Sequence, residues 1–526
     1  MMNGNHGGDH LPTVFLILDG YGLASPQQEG NAIRAKTAPT MFSFLEKYPS
    51  TTLNTTGEAV GLFPGQKGNS EAGHLTIGSG RVVKQDLVRI SEAINDGTFF
   101  KNEAFKQALF HAKKYKTKLH VFSLLTDGNS AHTHPGHLFA VLDLARKHDI
   151  KQVCIHLFTD GRDSPPHAAT MYLKLLREHM SAGQEIVTVM GRYWGMDRAK
   201  HWDRTDVAYH TIVNGTGQYY AHSAEEAVAQ AYNRNETDEY ISPTVIHNLD
   251  KNPLATVSDN DVIIFVNARS DRARQLTKAF VQDDFIARNP NAFERKHTPQ
   301  NIRFVAMTDF GPDLPGILTA FPSPDIDNAL AKAIGETYSQ LFISEMEKYA
   351  HVTYFLNGGY AKPINGEDRE IIASNGVKNY QDKPEMNSAE MTRKIIEYLQ
   401  KGTYNFICAN YPNADMLGHT GNMAAAEKAI SYIDKEIANI AEAVLAMNGQ
   451  LIITADHGNA EEMKNVKTNE IMTEHTANPV PFVIVRDNFK AGLRSGGTLA
   501  DVAPTLLTLM NIPVPNDMTG TSLIES

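Results

Sequence analysis

The sequence predicts an α/β protein of two domains, and three observations carry that expectation. At 526 residues the chain is too long for one ordinary core. Short apolar runs recur along it with helical patterns between many of them, which implies parallel sheet covered on both faces. The runs are too numerous for one comfortable sheet, and several end in polar, chemically reactive residues.

Taken in order, Val14-Phe-Leu-Ile-Leu18 runs into Asp19-Gly20, and Leu119-His-Val-Phe-Ser-Leu-Leu125 into Thr126-Asp-Gly128. Val153-Cys-Ile-His-Leu-Phe158 ends at Thr159-Asp-Gly-Arg-Asp163, Ile186-Val-Thr-Val-Met190 at Gly191-Arg192, and Val262-Ile-Ile-Phe-Val266 at Asn267-Ala-Arg269. Helical patterns cover 168–180 and 424–446, and an amphipathic one covers 329–349. Metal-type residues fall in two distant blocks, Asp19 near the start and 415–475 near the end, with arginine-rich strand exits between them. The simplest architecture inserts the middle segment, residues 85–317, as a domain into a domain made of both ends, 1–84 and 318–526. The candidate crossings are Val83-Lys-Gln-Asp-Leu87 and the Pro/Gly-rich Phe310-Gly-Pro-Asp-Leu-Pro-Gly316.

A net charge of −11 argues against a nucleic-acid partner, though not against an anionic substrate, because local arginines override the global field. The two cysteines, Cys154 and Cys408, each lie in an apolar run and read as small buried hydrophobes compatible with a reducing cytoplasm. The polar, Gly-rich opening ahead of Val14 has no basic region leading into an apolar one. The run that follows it is too short for a signal peptide or a membrane span, so no membrane anchor is expected.

The most informative stretch is Leu451-Ile-Ile-Thr-Ala-Asp-His-Gly-Asn459, a strand pattern that ends in two adjacent metal-type ligands, Asp456 and His457. Alone, that pair reads equally well as a turn with a solvated charge. Upstream, Asp415 and His419 stand one helical turn apart after the run Asn405-Phe-Ile-Cys-Ala409, and downstream Thr473-Glu-His-Thr476 offers His475. Two carboxylates and three imidazoles suit manganese or zinc and suit calcium poorly. Ser70, in Gly68-Asn-Ser-Glu-Ala-Gly-His74, reads either as a helix N-cap or as a nucleophile that a nearby metal ion would activate.

A second set lies in the middle of the chain. Gly191-Arg-Tyr-Trp-Gly-Met-Asp-Arg198 and Asn267-Ala-Arg-Ser-Asp-Arg272 each place two arginines near a strand end, and with Arg162 they point to an anion pocket rather than to solvated surface charge. His132, in Ser130-Ala-His-Thr-His134, is a ligand, an acid/base group or a plain loop histidine; Asp163 is a base or an arginine's partner.

These motifs together resemble the cofactor-independent (2,3-bisphosphoglycerate-independent) phosphoglycerate mutases of the alkaline phosphatase superfamily. The resemblance runs from about Val14 to the C-terminus. It rests on Leu18-Asp-Gly-Tyr-Gly22, Gly68-Asn-Ser-Glu-Ala-Gly-His74, Asp160-Gly-Arg-Asp-Ser-Pro-Pro166, Met196-Asp-Arg198, Asp271-Arg-Ala-Arg-Gln275, Glu347-Lys-Tyr-Ala-His-Val-Thr353, Asp415-Met-Leu-Gly-His-Thr-Gly421 and Ala455-Asp-His-Gly-Asn459. It implies an alkaline-phosphatase-like metal domain built from both chain ends, with an inserted phosphotransferase domain. It implies one metal on Asp415, His419 and His475, and a second on Asp19, Ser70, Asp456 and His457, with Ser70 as nucleophile. Substrate contacts are implied for His132, Arg162, Asp163, Arg192, Arg198, Arg269 and Arg272, with Lys348 steering the phosphoryl group.

Three features depart from the family pattern. The loop Thr126-Asp-Gly-Asn-Ser-Ala-His132 is one residue longer than usual, which leaves His132 and His134 as alternatives for the substrate contact. Asn267-Ala-Arg-Ser-Asp replaces Asn-Phe-Arg-Pro-Asp, and a looser turn is expected there. Glu474 precedes His475, where extra negative charge near the metal is expected.

The implied activity is that of an isomerase, an intramolecular phosphotransferase interconverting 3- and 2-phosphoglycerate through a phosphoserine. The expected cofactors are two divalent metal ions, manganese first, with zinc, cobalt or magnesium as the other candidates. A cytoplasmic monomer acting on a small molecule, with no nucleic-acid or membrane partner, completes the expectation. The rivals are a metal-dependent phosphomonoesterase or phosphopentomutase of the same superfamily, and a catalytically dead anion-binding protein.

Overall fold

The computed structural model describes residues 11–336, 338–377 and 379–525, so the polar opening of the chain falls mostly outside the described residues. The chain divides into two compact units. One is built from both ends, up to Gln85 and again from Asp325; the other is Asp86–Pro324.

The first unit holds an eight-stranded sheet in the order Asp368–Ile372, Gln340–Glu345, Phe406–Tyr411, Thr13–Leu18, Gln450–Thr454, Val480–Val485, Ser50–Asn54, Gly497–Thr498. The apolar runs sit at its centre because both faces are covered: every residue of Thr13–Leu18, Phe406–Tyr411 and Gln450–Thr454 is buried. The sheet is mixed rather than all parallel, since Val480–Val485 runs antiparallel to both its neighbours. One face packs on the long helix Met423–Ala446, whose apolar stripe includes Ile430, Ile433, Ile437, Ile440 and Val444.

The second unit holds its own eight-stranded sheet: Leu318–Thr319, Arg303–Ala306, Val262–Val266, Leu119–Leu125, Val153–Thr159, Gln184–Gly191, Thr244–Ile246, Tyr219–Ala221. Successive strand residues alternate between two apolar layers. Val121, Ile155, Val189 and Ile264 face one layer, and Phe122, Phe158, Met190 and Phe265 the other.

Two expectations from the sequence need correction. The crossing near residue 85 falls inside Val83–Leu87, but the return crossing lies at Pro324/Asp325 and not at 317/318. The Pro/Gly-rich 310–316 segment is an internal loop, and Leu318–Thr319 beyond it still pairs with Arg303–Ala306. The amphipathic stretch 329–349 is not one helix. It is a short helix, Leu330–Ile334, then the buried strand Gln340–Glu345 and a single tight turn at Met346–Lys348. Gly335 ends the helix at φ +77°, a backbone value a side chain would resist.

Candidate active site

In the first unit, Lys348, Asp415, Asp19 and Asp456 each follow one of four neighbouring parallel strands: Gln340–Glu345, Phe406–Tyr411, Thr13–Leu18 and Gln450–Thr454. This is the carboxyl edge, where open α/β sheets place their ligands. The Asp19-Gly20 turn closes tightly over the next element. A Cβ at Gly20 would meet the Cα of Asp415 at 2.7 Å, and its φ is +74°, so only glycine fits. Asp415 lies in the helix Asn413–Gly418, and His419 follows one turn later, its N–H donating to the Asp415 carbonyl at 3.0 Å.

Ser70 is the first residue of the helix Ser70–Ser79, not its cap. Asn69 takes the cap by accepting from the Ala72 N–H at 2.9 Å. The Ser70 hydroxyl is thereby released to the cluster, with Oγ 3.0 Å from His457 Nε2, 3.3 Å from Asp19 Oδ1 and 2.8 Å from Lys348 Nζ. Lys348 Nζ also reaches Asp19 Oδ1 and Asp415 Oδ2, both at 2.7 Å.

The donor set fits divalent metal. Asp415, His419 and His475 form one group able to hold an ion, and Asp19, Asp415 and His457 form another. Asp19, His74 and Asp456 form a third, in which Asp456 Oδ2 is buried 3.2 Å from His74 Nδ1 and 3.5 Å from His457 Nε2. The three imidazoles are oriented by backbone carbonyls. Nδ1 of His419 meets Thr473 O at 2.7 Å, Nδ1 of His475 meets Gly68 O at 2.8 Å, and Nδ1 of His457 meets Gly458 O at 3.3 Å. Each ring then turns Nε2 inward, the arrangement that metal-ligating histidines need. Asp19, Asp456 and His457 are fully buried, whereas His419 is exposed, so the cluster opens to solvent on the His419 side.

The electrostatics agree with a site built for cations. Burial works against charge on Asp415, yet Lys348 and the paired histidines hold its carboxyl well below the usual range. Burial also opposes charge on His457, but Asp456, Asp19 and Asp415 push its imidazole up to about 9. Glu474 adds little to this field, because its exposed carboxylate turns to Lys67 at 3.0 Å.

In the second unit the arginines gather at the matching edge. Val262–Val266, Leu119–Leu125, Val153–Thr159 and Gln184–Gly191 are neighbours and parallel. The loops after them carry Arg269, His132, Arg162 and Asp163, and the helices that follow, Ser270–Val281 and Arg192–Gly195, carry Arg272 and Arg192 in their first turns. Arg192 is 1% exposed and donates from Nη1 to Asp160 Oδ1 at 2.6 Å and Asp163 Oδ2 at 2.7 Å. Arg198 reaches Asp271 Oδ2 at 2.5 Å, Arg269 Nε lies 3.3 Å from Asp271 Oδ1, and Arg162 pairs with Glu239 at 3.4 Å. Burial, then the charges of Arg192, Arg198 and Arg162, pull the Arg272 guanidinium below its ordinary value, the mark of an electropositive cluster.

The two histidines left open above sit in different surroundings. His134 caps the helix Pro135–Lys147, accepting from the Gly136 N–H at 3.1 Å. His132 is buried beside the cluster with Nδ1 lacking a hydrogen bond, and burial followed by Arg192 lowers its imidazole to about 4. The turn at Asn267 is held rather than loosened: the Ala268 N–H donates to His132 O at 2.6 Å, and Thr308 Oγ1 to Ala268 O at 2.9 Å.

Several supporting residues had no role in the sequence reading. Asn410 Nδ2 lies 2.8 Å from Asp19 Oδ2 and 3.0 Å from His74 Nε2, while His74 Nδ1 faces Ser70 O at 2.9 Å and Asp456 Oδ2 at 3.2 Å. Asn459 donates to Asp415 Oδ1 at 2.8 Å, and Glu461 accepts from the Gly22 and Asn459 N–H groups. His74 and Asn459 stand inside quoted motifs, but Asn410 is hidden in an apolar strand and carries no local signal.

Comparison with known proteins adds to this geometry. Residues 90–312 match the family described as BPG-independent PGAM N-terminus, and residues 329–506 match Type I phosphodiesterase / nucleotide pyrophosphatase. The chain is 46% identical to the 2,3-bisphosphoglycerate-independent phosphoglycerate mutase of Moorella thermoacetica, over 98% of each chain. It belongs to the 2,3-bisphosphoglycerate-independent phosphoglycerate mutases. A phosphoglycerate mutase of this family from Methanosarcina acetivorans is 45% identical, again over 98% of each chain. The crystal structure of Leishmania mexicana phosphoglycerate mutase at low cobalt concentration is similar, with a TM-score of 0.75, 29% identity and 98% of each chain covered.

Proposed function

We infer that this chain, an isomerase of the phosphoglycerate mutase family, interconverts 3-phosphoglycerate and 2-phosphoglycerate without 2,3-bisphosphoglycerate, through a phosphoserine at Ser70. The observation that carries this reading is the Ser70 hydroxyl, released from capping and set among Asp19, His457 and Lys348. Asp415, His419 and His475 would hold one divalent ion, and Asp19, Ser70, Asp456 and His457 a second. Bound ions, manganese in our reading, supply positive charge that favours the deprotonated serine oxygen and offsets charge on the phosphoryl oxygens.

Ser70 Oγ bonds to phosphorus as the substrate C–O–P linkage breaks at phosphorus, and the Lys348 ammonium stabilises the charge spread over the transferring oxygens. Arg162, Arg192, Arg198, Arg269 and Arg272, with His132, retain the glycerate through its carboxylate and hydroxyls. Asp163 gives a proton to the departing hydroxyl and takes one from the hydroxyl that receives the phosphoryl group back. In this reading the working unit is a monomer. The cytoplasmic assignment is supported by two buried, unpaired thiols. Among the described residues no helix is long and apolar enough to cross a membrane.

A phosphomonoesterase of the same superfamily would share the metal cluster but has no use for arginines that retain the dephosphorylated product. A coupled assay for 2-phosphoglycerate, without added bisphosphoglycerate, separates the two. Wild type should convert 3-phosphoglycerate without releasing phosphate, and Ser70→Ala should be inactive with its metal content retained. Stoichiometric phosphate release by wild type would favour the hydrolase.

A further inference from the structure

We propose that Ser130 is a positioning residue of the mutase reaction, tying one oxygen of Asp163 so that the other meets the glycerate hydroxyls. The inference rests on the reading of Asp163 as proton carrier. Ser130 stands in the loop after Leu119–Leu125 and is 1% exposed. Asp163 stands in the loop after the adjacent strand Val153–Thr159, with Leu125 and Thr159 paired in register at the two strand ends.

The hydroxyl has one hydrogen, and its direction is fixed. Ser130 Oγ accepts from the His132 N–H at 3.2 Å, so its own hydrogen is available for Asp163 Oδ2 at 2.7 Å. Arg192 Nη1 donates to that same oxygen, also at 2.7 Å. A turn-forming serine would need only the His132 contact; the second bond links two loops and selects one carboxylate oxygen. With Oδ2 held twice and the Asp163 side chain 30% exposed, Oδ1 is the oxygen presented to substrate.

The charged surroundings favour the same state. Arg192 and the His132 ring face the carboxylate, and Asp160 Oδ1 accepts from the Asp163 N–H at 3.1 Å while sharing Arg192. Burial works against charge on Asp163, yet Arg192 and Ser130 hold its carboxyl below the ordinary range, so the carboxylate left after it has protonated the departing hydroxyl is the favoured state and takes the next proton from the hydroxyl that receives the phosphoryl group. In the return transfer the glycerate O–H bond breaks and its proton passes to Oδ1. The freed electron pair forms the new O–P bond, and the Ser70 Oγ–P bond breaks with its electrons left on Oγ.

The test is a kinetic cycle on the full-length metal-loaded enzyme with Ser130→Ala, Ser130→Thr, Asp163→Asn and the double variant Ser130→Ala/Asp163→Asn. Ser130→Ala should lower kcat by about tenfold, a fraction of what a general base contributes, with KM for 3-phosphoglycerate within about twofold of wild type. Its solvent deuterium isotope effect on kcat should rise, because proton transfer becomes slower. Ser130→Thr, which keeps the hydroxyl, should recover most of the loss. In the Asp163→Asn background the Ser130 change should have no further effect, since it acts through Asp163. An unchanged kcat in Ser130→Ala, a rise in KM alone, or a full tenfold effect in the Asp163→Asn background would overturn the inference while leaving Asp163 in its role. Wild-type turnover by Asp163→Asn would instead overturn the acid–base reading, and this inference with it.

Discussion

Arg192 and Arg272 belong to one cluster in opposite electrostatic situations. Arg192 is enclosed and donates to Asp160 and Asp163, whereas Arg272 is pressed by Arg192, Arg198 and Arg162 and donates to Met196 O at 3.2 Å. Arg192→Ala leaves the buried Asp160 without its cation and should destabilise the protein by about 3–5 kcal/mol. Arg272→Ala relieves repulsion, so its melting temperature should hold or rise while kcat/KM falls through a loss of about 2–5 kcal/mol of substrate interaction. Thermal unfolding beside steady-state kinetics checks both, and an Arg272→Ala variant that unfolds as early as Arg192→Ala would make Arg272 a structural residue. At this scale the sequence was legible wherever a strand exit displayed its chemistry, as at Asp19, Asp456, Arg192 and Arg269. Ser130, His74 and Asn410 were not, because their roles depend on which side chain another loop or strand places against them.

Between the helices Asp86–Asn95 and Pro135–Lys147 lies a buried histidine that makes their packing sensitive to acid. His137 Nε2 meets Ser91 Oγ at 2.8 Å, and burial, with His134 adding to it and a Leu87 backbone group opposing, lowers its imidazole from 6.5 to about 3. The unfolded chain takes up a proton near pH 6.5 that the folded helices refuse until about pH 3. The stability His137 contributes is therefore complete above pH 6.5 and is lost as pH falls toward 3, by about 1.4 kcal/mol per pH unit. Urea midpoints of the metal-loaded protein between pH 7 and about 5 should fall more steeply for wild type than for His137→Gln. Parallel slopes would place the acid sensitivity elsewhere. Elements were legible where a run is apolar throughout, because a strand buried on both faces leaves no competing pattern. The stretch 329–349 misled because a short helix and a short buried strand in series mimic one amphipathic helix, and only Gly335 marks the break.

Across the whole molecule, the first unit gathers its cluster from residues far apart in sequence, with Asn410 bonded to Asp19 and Asn459 to Asp415. That closure explains why an entire unit, Asp86–Pro324, can be inserted between its halves. The insertion was legible from the two blocks of metal-type residues. Its exact return point was not, since the two-residue strand Leu318–Thr319 has no pattern of its own beyond a Pro/Gly-rich loop. The claim on which the rest depends is that Ser70 carries the phosphoryl group between the two hydroxyls of glycerate. Wild-type enzyme quenched during turnover of 3-phosphoglycerate and digested for mass spectrometry should yield the Ser70 peptide bearing one phosphoryl group. An unmodified Ser70 peptide under continuing turnover, or a phosphoryl group found on another residue, would contradict it.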